Sequence, residues 1–233
     1  MSHILDIDIK HCLSLPIPYL LQEFTKKVML QKKDANGWGI MHWAVATGNV
    51  QKVKELIEAD FDFSIKSFNN EFPKDFFEFS VGGSIVKLNN DFLSFSRGGI
   101  TPAHLSIFLY SQYDMSSFGK GQMTFQTLKQ NQDEIISLFN NDILSFTDLS
   151  GFSVVDYAFM MQNIECIEKI MKIDAVFDGL KKIKIETAKN IIEGFKKHQI
   201  KTDLFFENKI NDILNVLQKK ADFVKLKESL PKK

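Results

Sequence analysis

The sequence predicts an all-α fold in which short helix-turn-helix units stack as repeats between helical caps. Three observations carry this. Apolar residues recur at helical spacing, as at Val53, Leu56 and Ile57. Turn chemistry at Asp34-Ala-Asn-Gly37 and at Gly48-Asn49 cuts the helices short. The pattern that runs from Asp34 to Asp62 then returns further along the chain. Helices this short are marginal alone and need neighbours on both sides.

Residues 1–33 form an N-terminal capping segment. Leu15-Pro-Ile-Pro18 can start a helix but not sit inside one, and Leu20, Leu21, Phe24 and Val28 then share one helical face. The first unit spans 34–66, with Met41, Ala44 and Val45 on its first helix and Val53, Leu56 and Ile57 on its second. Asp75 lies 33 residues after His42, with Asn70 and Pro73 before it, so a second unit is expected over 67–95. Ile85, Val86, Asn89 and Asp91 would complete that unit, shortened near Ser80 to Ser84.

Gly99-Ile-Thr-Pro-Ala-His104 opens a third unit over 96–147, and Asp148-Leu-Ser-Gly151 a fourth over 148–174, completed by Asn163, Ile167, Ile170 and Met171. Asp156 follows His104 by 52 residues, 19 more than one period. The excess is expected as an inserted loop near 113–132, with 133–140 as the second helix. Residues 175–233 carry two more apolar stripes, one with Ala188, Ile191, Ile192 and Phe195, the other with Phe206, Ile210, Ile213, Leu214, Leu217 and Ala221. They suit a C-terminal helical cap.

These residues resemble an ankyrin repeat. Gly37, His42, Ala44, Gly48, Asn49, Val53, Leu56, Ile57 and Asp62 fill the family's places, and Thr101-Pro-Ala-His104 is the closest match to its signature. Gly39 and Ile40 stand where Thr and Pro are expected. The resemblance covers about 34–173. It implies that His42 and His104 are structural, each stitching a turn to a helix. It also implies that partners contact the turn tips and the exposed positions late in each first helix. The tips contribute Trp38, Phe68, Asn69, Glu71, Arg97, Ile100, Leu149 and Phe152; the helices contribute Ala46, Thr47, Phe79, Ser80, Phe108, Leu109, Met160 and Met161. The candidate partner-binding set is Trp38, Phe68, Phe79, Arg97, Ile100, Phe108, Leu109, Phe152, Met160 and Met161. A contiguous apolar patch of this kind marks an interaction site, unless the insertion near 113–132 folds over the concave groove.

Composition narrows the function further. Arg97 is the only arginine, so bidentate recognition of phosphate or guanine is nearly absent. The net charge is zero but uneven: from Ala175 onward 14 Lys face 8 acids, and before it 15 basic residues face 21 acidic ones. The lysines lie among acids along helical periods, as on a solvated helix face. Cys12 and Cys166 are far apart and have no neighbouring thiol or histidine at ligand spacing, so neither a disulfide scaffold nor a zinc site is expected.

The first ten residues lack the pattern of a secretory signal, and no apolar run reaches membrane-spanning length. Gly119-Lys-Gly121 is only a fragment of a phosphate loop. No catalytic, cofactor-binding or metal-binding residue is therefore expected. The sequence reads as a non-enzymatic, monomeric, cytoplasmic scaffold for a protein partner, with no nucleic acid and no membrane insertion. Degenerate ankyrin proteins rich in Phe, Lys, Ile and Asn are similar to effectors that intracellular bacteria deliver into host cells. The alternatives are an enzyme, or a lipid- or nucleic-acid-docking protein, with its activity in the basic C-terminal segment.

Overall fold

Gly and Asn end and restart the helices, as their placement predicts. α1 (Ile40–Ala46) stops where Gly48 takes φ +63°, and the amides of Gly48 and Asn49 close back on the carbonyls of Val45 and Ala44. The Asn49 side chain then accepts from the Lys52 amide and starts α2 (Val50–Glu58). α2 buries Lys52, Val53 and Leu56 and leaves Ile57 and Glu58 exposed. Its end repeats the same closure, with Asp60 at φ +64° and the Phe61 amide on the Leu56 carbonyl.

The computed structural model describes residues 12–19, 32–61, 63–68, 78–81, 84–87, 97–115, 122–161 and 163–172, plus the helical, exposed positions Asn208, Asn211, Asp212 and Asn215. After α2 come a hairpin, β1 (Glu78–Val81) and β2 (Ser84–Lys87), and the longer helices α3 (Pro102–Met115) and α4 (Gln122–Ile136). A short α5 (Asn141–Ser145), capped by Asn140, precedes α6 (Val154–Met160) and α7 (Ile164–Lys172). Helix dominates the described residues, and β1–β2 is the sole paired sheet among them.

The helices pair as α1/α2, α3/α4 and α6/α7, and α1, α3 and α6 pack side by side as an inner row. That row is buried all round: every residue of α1, of 102–111 and of 154–159 is inside. Gln132 of α4 fastens two pairs together. It accepts from the Ser106 hydroxyl (2.8 Å) and donates to the Val45 carbonyl at the end of α1 (2.7 Å). The outer row is joined by ion pairs, Lys54–Glu134, Lys129–Glu165 and Lys169–Asp133.

Each pair is preceded by a turn with the same hydrogen bonds. In the first, the Asp34 amide donates to the Trp38 carbonyl (2.9 Å), and the Asp34 carboxylate accepts from the Asn36 and Trp38 amides. In the last, Asp148 does the same with Phe152, Ser150 and Phe152. The middle turn closes between Ser67 and Ile100: the Ser67 amide donates to the Ile100 carbonyl (3.0 Å) and the Ser67 hydroxyl oxygen accepts from the Ile100 amide (2.9 Å). Ser67 is thus the counterpart of Asp34 and Asp148. Its turn covers 33 positions where the first covers 4, an excess of 29 residues.

This corrects the expected second unit. Of the stretch assigned to a helix pair over 67–95, the described residues 78–81 and 84–87 form a hairpin, so Phe79, Ser80, Ile85 and Val86, expected on helices, lie in strands. The rest of that stretch beyond Phe68 lies outside the described residues. Among the described residues the equivalents of His42 are His104 and Asp156; Asp75, expected at the same place, lies outside them. The excess near 113–132 is likewise not a simple loop. α3 has 14 residues against 7 in α1, and α4 has 15 against 9 in α2, so longer helices absorb most of it. The expected N-terminal helix through Leu20–Val28 and nearly all of the 175–233 cap lie outside the described residues.

Candidate interaction surface

The turns dock on one another through two bonds and one side chain. The residue after Ser67 or Asp148 donates its amide to the preceding turn: Phe68 to the Asn36 carbonyl (2.9 Å) and Leu149 to the Gly98 carbonyl (2.8 Å). Gly37 and Gly99 take φ +82° and +69°, and the absence of a side chain lets the next turn approach. A Cβ on Gly37 would lie 2.3 Å from the Phe68 nitrogen and 2.7 Å from its Cγ; on Gly99 it would lie 2.7 Å from the Leu149 Cγ.

The second bond comes from histidine. Gly39 donates its amide to His42 Nδ1 (3.2 Å), so the proton sits on Nε2, which donates to the Ile100 carbonyl of the next turn (2.8 Å). His104 repeats this, with Nδ1 accepting from Thr101 and Nε2 donating to the Phe152 carbonyl (3.0 Å). Burial lowers the His42 pKa to about 4, which keeps the ring neutral. At the third place Asp156 turns inward and accepts from the Ser153 amide and hydroxyl, both at 2.6 Å. Both histidines are thus occupied by the architecture. Among the described residues no group of three or more His, Cys, Asp or Glu is placed to hold a metal ion. Burial pushes the Cys166 thiol well above its ordinary pKa, away from the reactive thiolate.

The expected partner-binding residues divide sharply. Trp38 is buried, against the rings of Trp43 and His42, and Ile100 is buried at the equivalent place. The residue after each turn glycine starts the chain's return, and its side chain points into the stack. Phe152 holds the same place in the last turn and is half-buried. Phe108, Leu109 and Met161 are also buried, which corrects their assignment to an open concave face; Met160 is half-buried. Phe79 lies in β1, opposite Val86.

Phe68 and Arg97 are exposed as expected, Phe68 by 60%. Leu149, in the same turn position as Phe68, is 57% exposed. Lys66 is exposed beside them, Lys33 lies 5.2 Å from the Phe68 ring, and the Arg97 amide donates to the Ser150 hydroxyl. The carboxylates of Asp34 and Asp148 are turned inward, where Trp43 Nε1 and Tyr157 Oη donate to them, each at 3.0 Å. The turn edge is therefore apolar and cationic among the described residues.

Comparison with protein families, curated proteins and solved structures returns no match. The sequence reading missed Ser67 and Lys66. Ser67 had a signal: it lies 33 residues after Asp34, the same period counted from the turn instead of from the histidine.

Proposed function

We propose that the chain is an ankyrin-type repeat protein that acts as a non-enzymatic scaffold and binds a protein partner along its turn edge. The resemblance of Gly37–Asp62 and Thr101–His104 to the family pattern supports the repeat reading. So do the three turns with shared hydrogen bonds and the histidines that bridge them. One observation carries the functional reading. Phe68 and Leu149, large and apolar, stand more than half exposed at the same place in successive turns, with Lys66 and Arg97 exposed alongside. Exposed apolar side chains framed by polar ones mark interaction sites. Burial of the inner row supports this edge over the concave groove as the binding surface.

Affinity capture with the wild type and with a Leu149→Lys, Arg97→Glu variant of matching melting temperature tests the reading. Partners recovered by the wild type and lost by the variant are expected. The same proteins recovered by both would overturn it.

A further inference from the structure

Each turn presents a docking saddle to the one that follows it. The saddle consists of a carbonyl one residue before the glycine and the bare Cα face of a glycine at positive φ. It receives a backbone amide and the large apolar side chain of the same residue. The saddle at Asn36–Gly37 receives Phe68, and that at Gly98–Gly99 receives Leu149. The third, at Ser150–Gly151, has the same backbone, with Gly151 at φ +85°. It is open. A Cβ on Gly151 would meet nothing within 4 Å, Gly151 is exposed, and among the described residues no donor reaches the Ser150 carbonyl.

We propose that the Ser150–Gly151 saddle is the docking site for a turn of a partner protein, one in which a Ser or Asp is followed by a large apolar residue. The occupant is inferred from the two filled saddles, where the inserting residue follows Ser67 in one and Asp148 in the other. The partner continues an interface that the chain already builds twice within itself. It donates its amide to the Ser150 carbonyl and lays its apolar side chain over Gly151.

A second copy of this chain is a poorer occupant. Its own first turn offers Ala35, a methyl where Phe68 and Leu149 fill the internal saddles. The third junction also differs in a way that suits a separable partner. Asp156 replaces the bridging histidine and is satisfied within its own turn, so no buried bond from this chain to the partner's carbonyl is required.

The proposal rests on the interaction-scaffold reading and names one site within it. The test pans the full chain against a phage-displayed random dodecapeptide library and remeasures the enriched peptides in synthetic form. The expected peptides share Ser or Asp followed by a large apolar residue, shift the Ser150 and Gly151 amide resonances on titration, and bind Gly151→Asn about tenfold more weakly. Asn tolerates left-handed φ, so this variant fills the saddle while preserving the fold. Circular dichroism and melting establish that, and the resonance shifts are read on the wild type in any case. Peptides that bind Gly151→Asn as well as wild type, or that leave the Ser150 and Gly151 amides unmoved, overturn the proposal. If such peptides instead lose binding with Lys66→Glu, Arg97→Glu, the scaffold reading stands while the saddle falls. An absence of any enriched peptide removes both.

Discussion

The first and second turns close with equivalent hydrogen bonds, yet one spans Asp34 to Trp38 and the other Ser67 to Ile100. Their chemistry differs in one further respect. Asp34 has a second carboxylate oxygen, which accepts from Trp43, and Asp148 likewise accepts from Tyr157. Ser67 has no such oxygen, and the equivalent helix position holds apolar Leu105, fully buried. The unit is therefore defined by the base of its turn and the helix that follows. The length between the two closing residues is free to grow.

The largest expected effect tests whether the turns dock alike. Gly37→Ala should cost about 3 kcal/mol or more, from the left-handed backbone and from a methyl driven against Phe68. Gly99→Ala should behave similarly against Leu149. Gly151→Ala faces open space and should lose only the backbone part, about 1–2 kcal/mol. Urea unfolding of the three variants decides this, and equal losses would break the distinction between filled and open saddles.

Acid should loosen the junction between the first and second turns. The His42 pKa is about 4 when folded and 6.5 in the unfolded chain. The unfolded state therefore binds the proton more readily, and stability falls as pH drops from about 6.5 to 4, by up to roughly 3 kcal/mol. Unfolding free energies at stepped pH should show this slope, and His42→Gln should flatten it at the cost of lower stability at neutral pH.

A smaller effect sharpens the Asp–Ser difference. Ser67→Asp should cost about 1–3 kcal/mol, because its second oxygen would meet Leu105 rather than a donor. Adding Leu105→Tyr should recover part of that loss, giving a favourable coupling in a double-mutant cycle. Additive losses would mean that the aromatic donors of the outer turns are incidental.

The smallest effect comes from erasing the difference in length. Replacing Phe68–Gly98 by Ala-Asn, as in the first turn, should keep helical circular dichroism and a cooperative melt. By loop-closure entropy the change should stay within about 2 kcal/mol. Loss of the helical signal would show that the long turn supports the stack.

Helix ends were legible where they depend on local chemistry, as at Gly48-Asn49, and not where α4 begins at Gln122 inside the expected loop. The hairpin at Phe79 and Val86 was not legible, because the 33-residue period from His42 to Asp75 suggested helices there while the turn counterpart, Ser67, lacks the expected carboxylate. Exposure was legible at Phe68 and Arg97, which lie within the second turn between its closing residues. It was misjudged at Trp38 and Ile100, where a turn glycine reverses the chain and sends the next side chain inward. Spacing alone does not record that direction. Phe108 and Leu109 were misjudged for another reason: helical period shows which residues share a face but not whether a second layer covers it.

Gln132 links these parts in a different sense. One amide group satisfies a hydroxyl on α3 and the last turn of α1, 87 residues away in sequence. Fraying of α4 costs the Val45 carbonyl one of its two donors, and fraying of α1 leaves the buried Gln132 Nε2 without its acceptor. Such reciprocal dependence is nearest-neighbour coupling, and it converts separate helix pairs into a single cooperative unit of unfolding. Hydrogen exchange should therefore report one shared opening free energy for α1, α3 and α4, rather than a gradient that falls from one pair to the next.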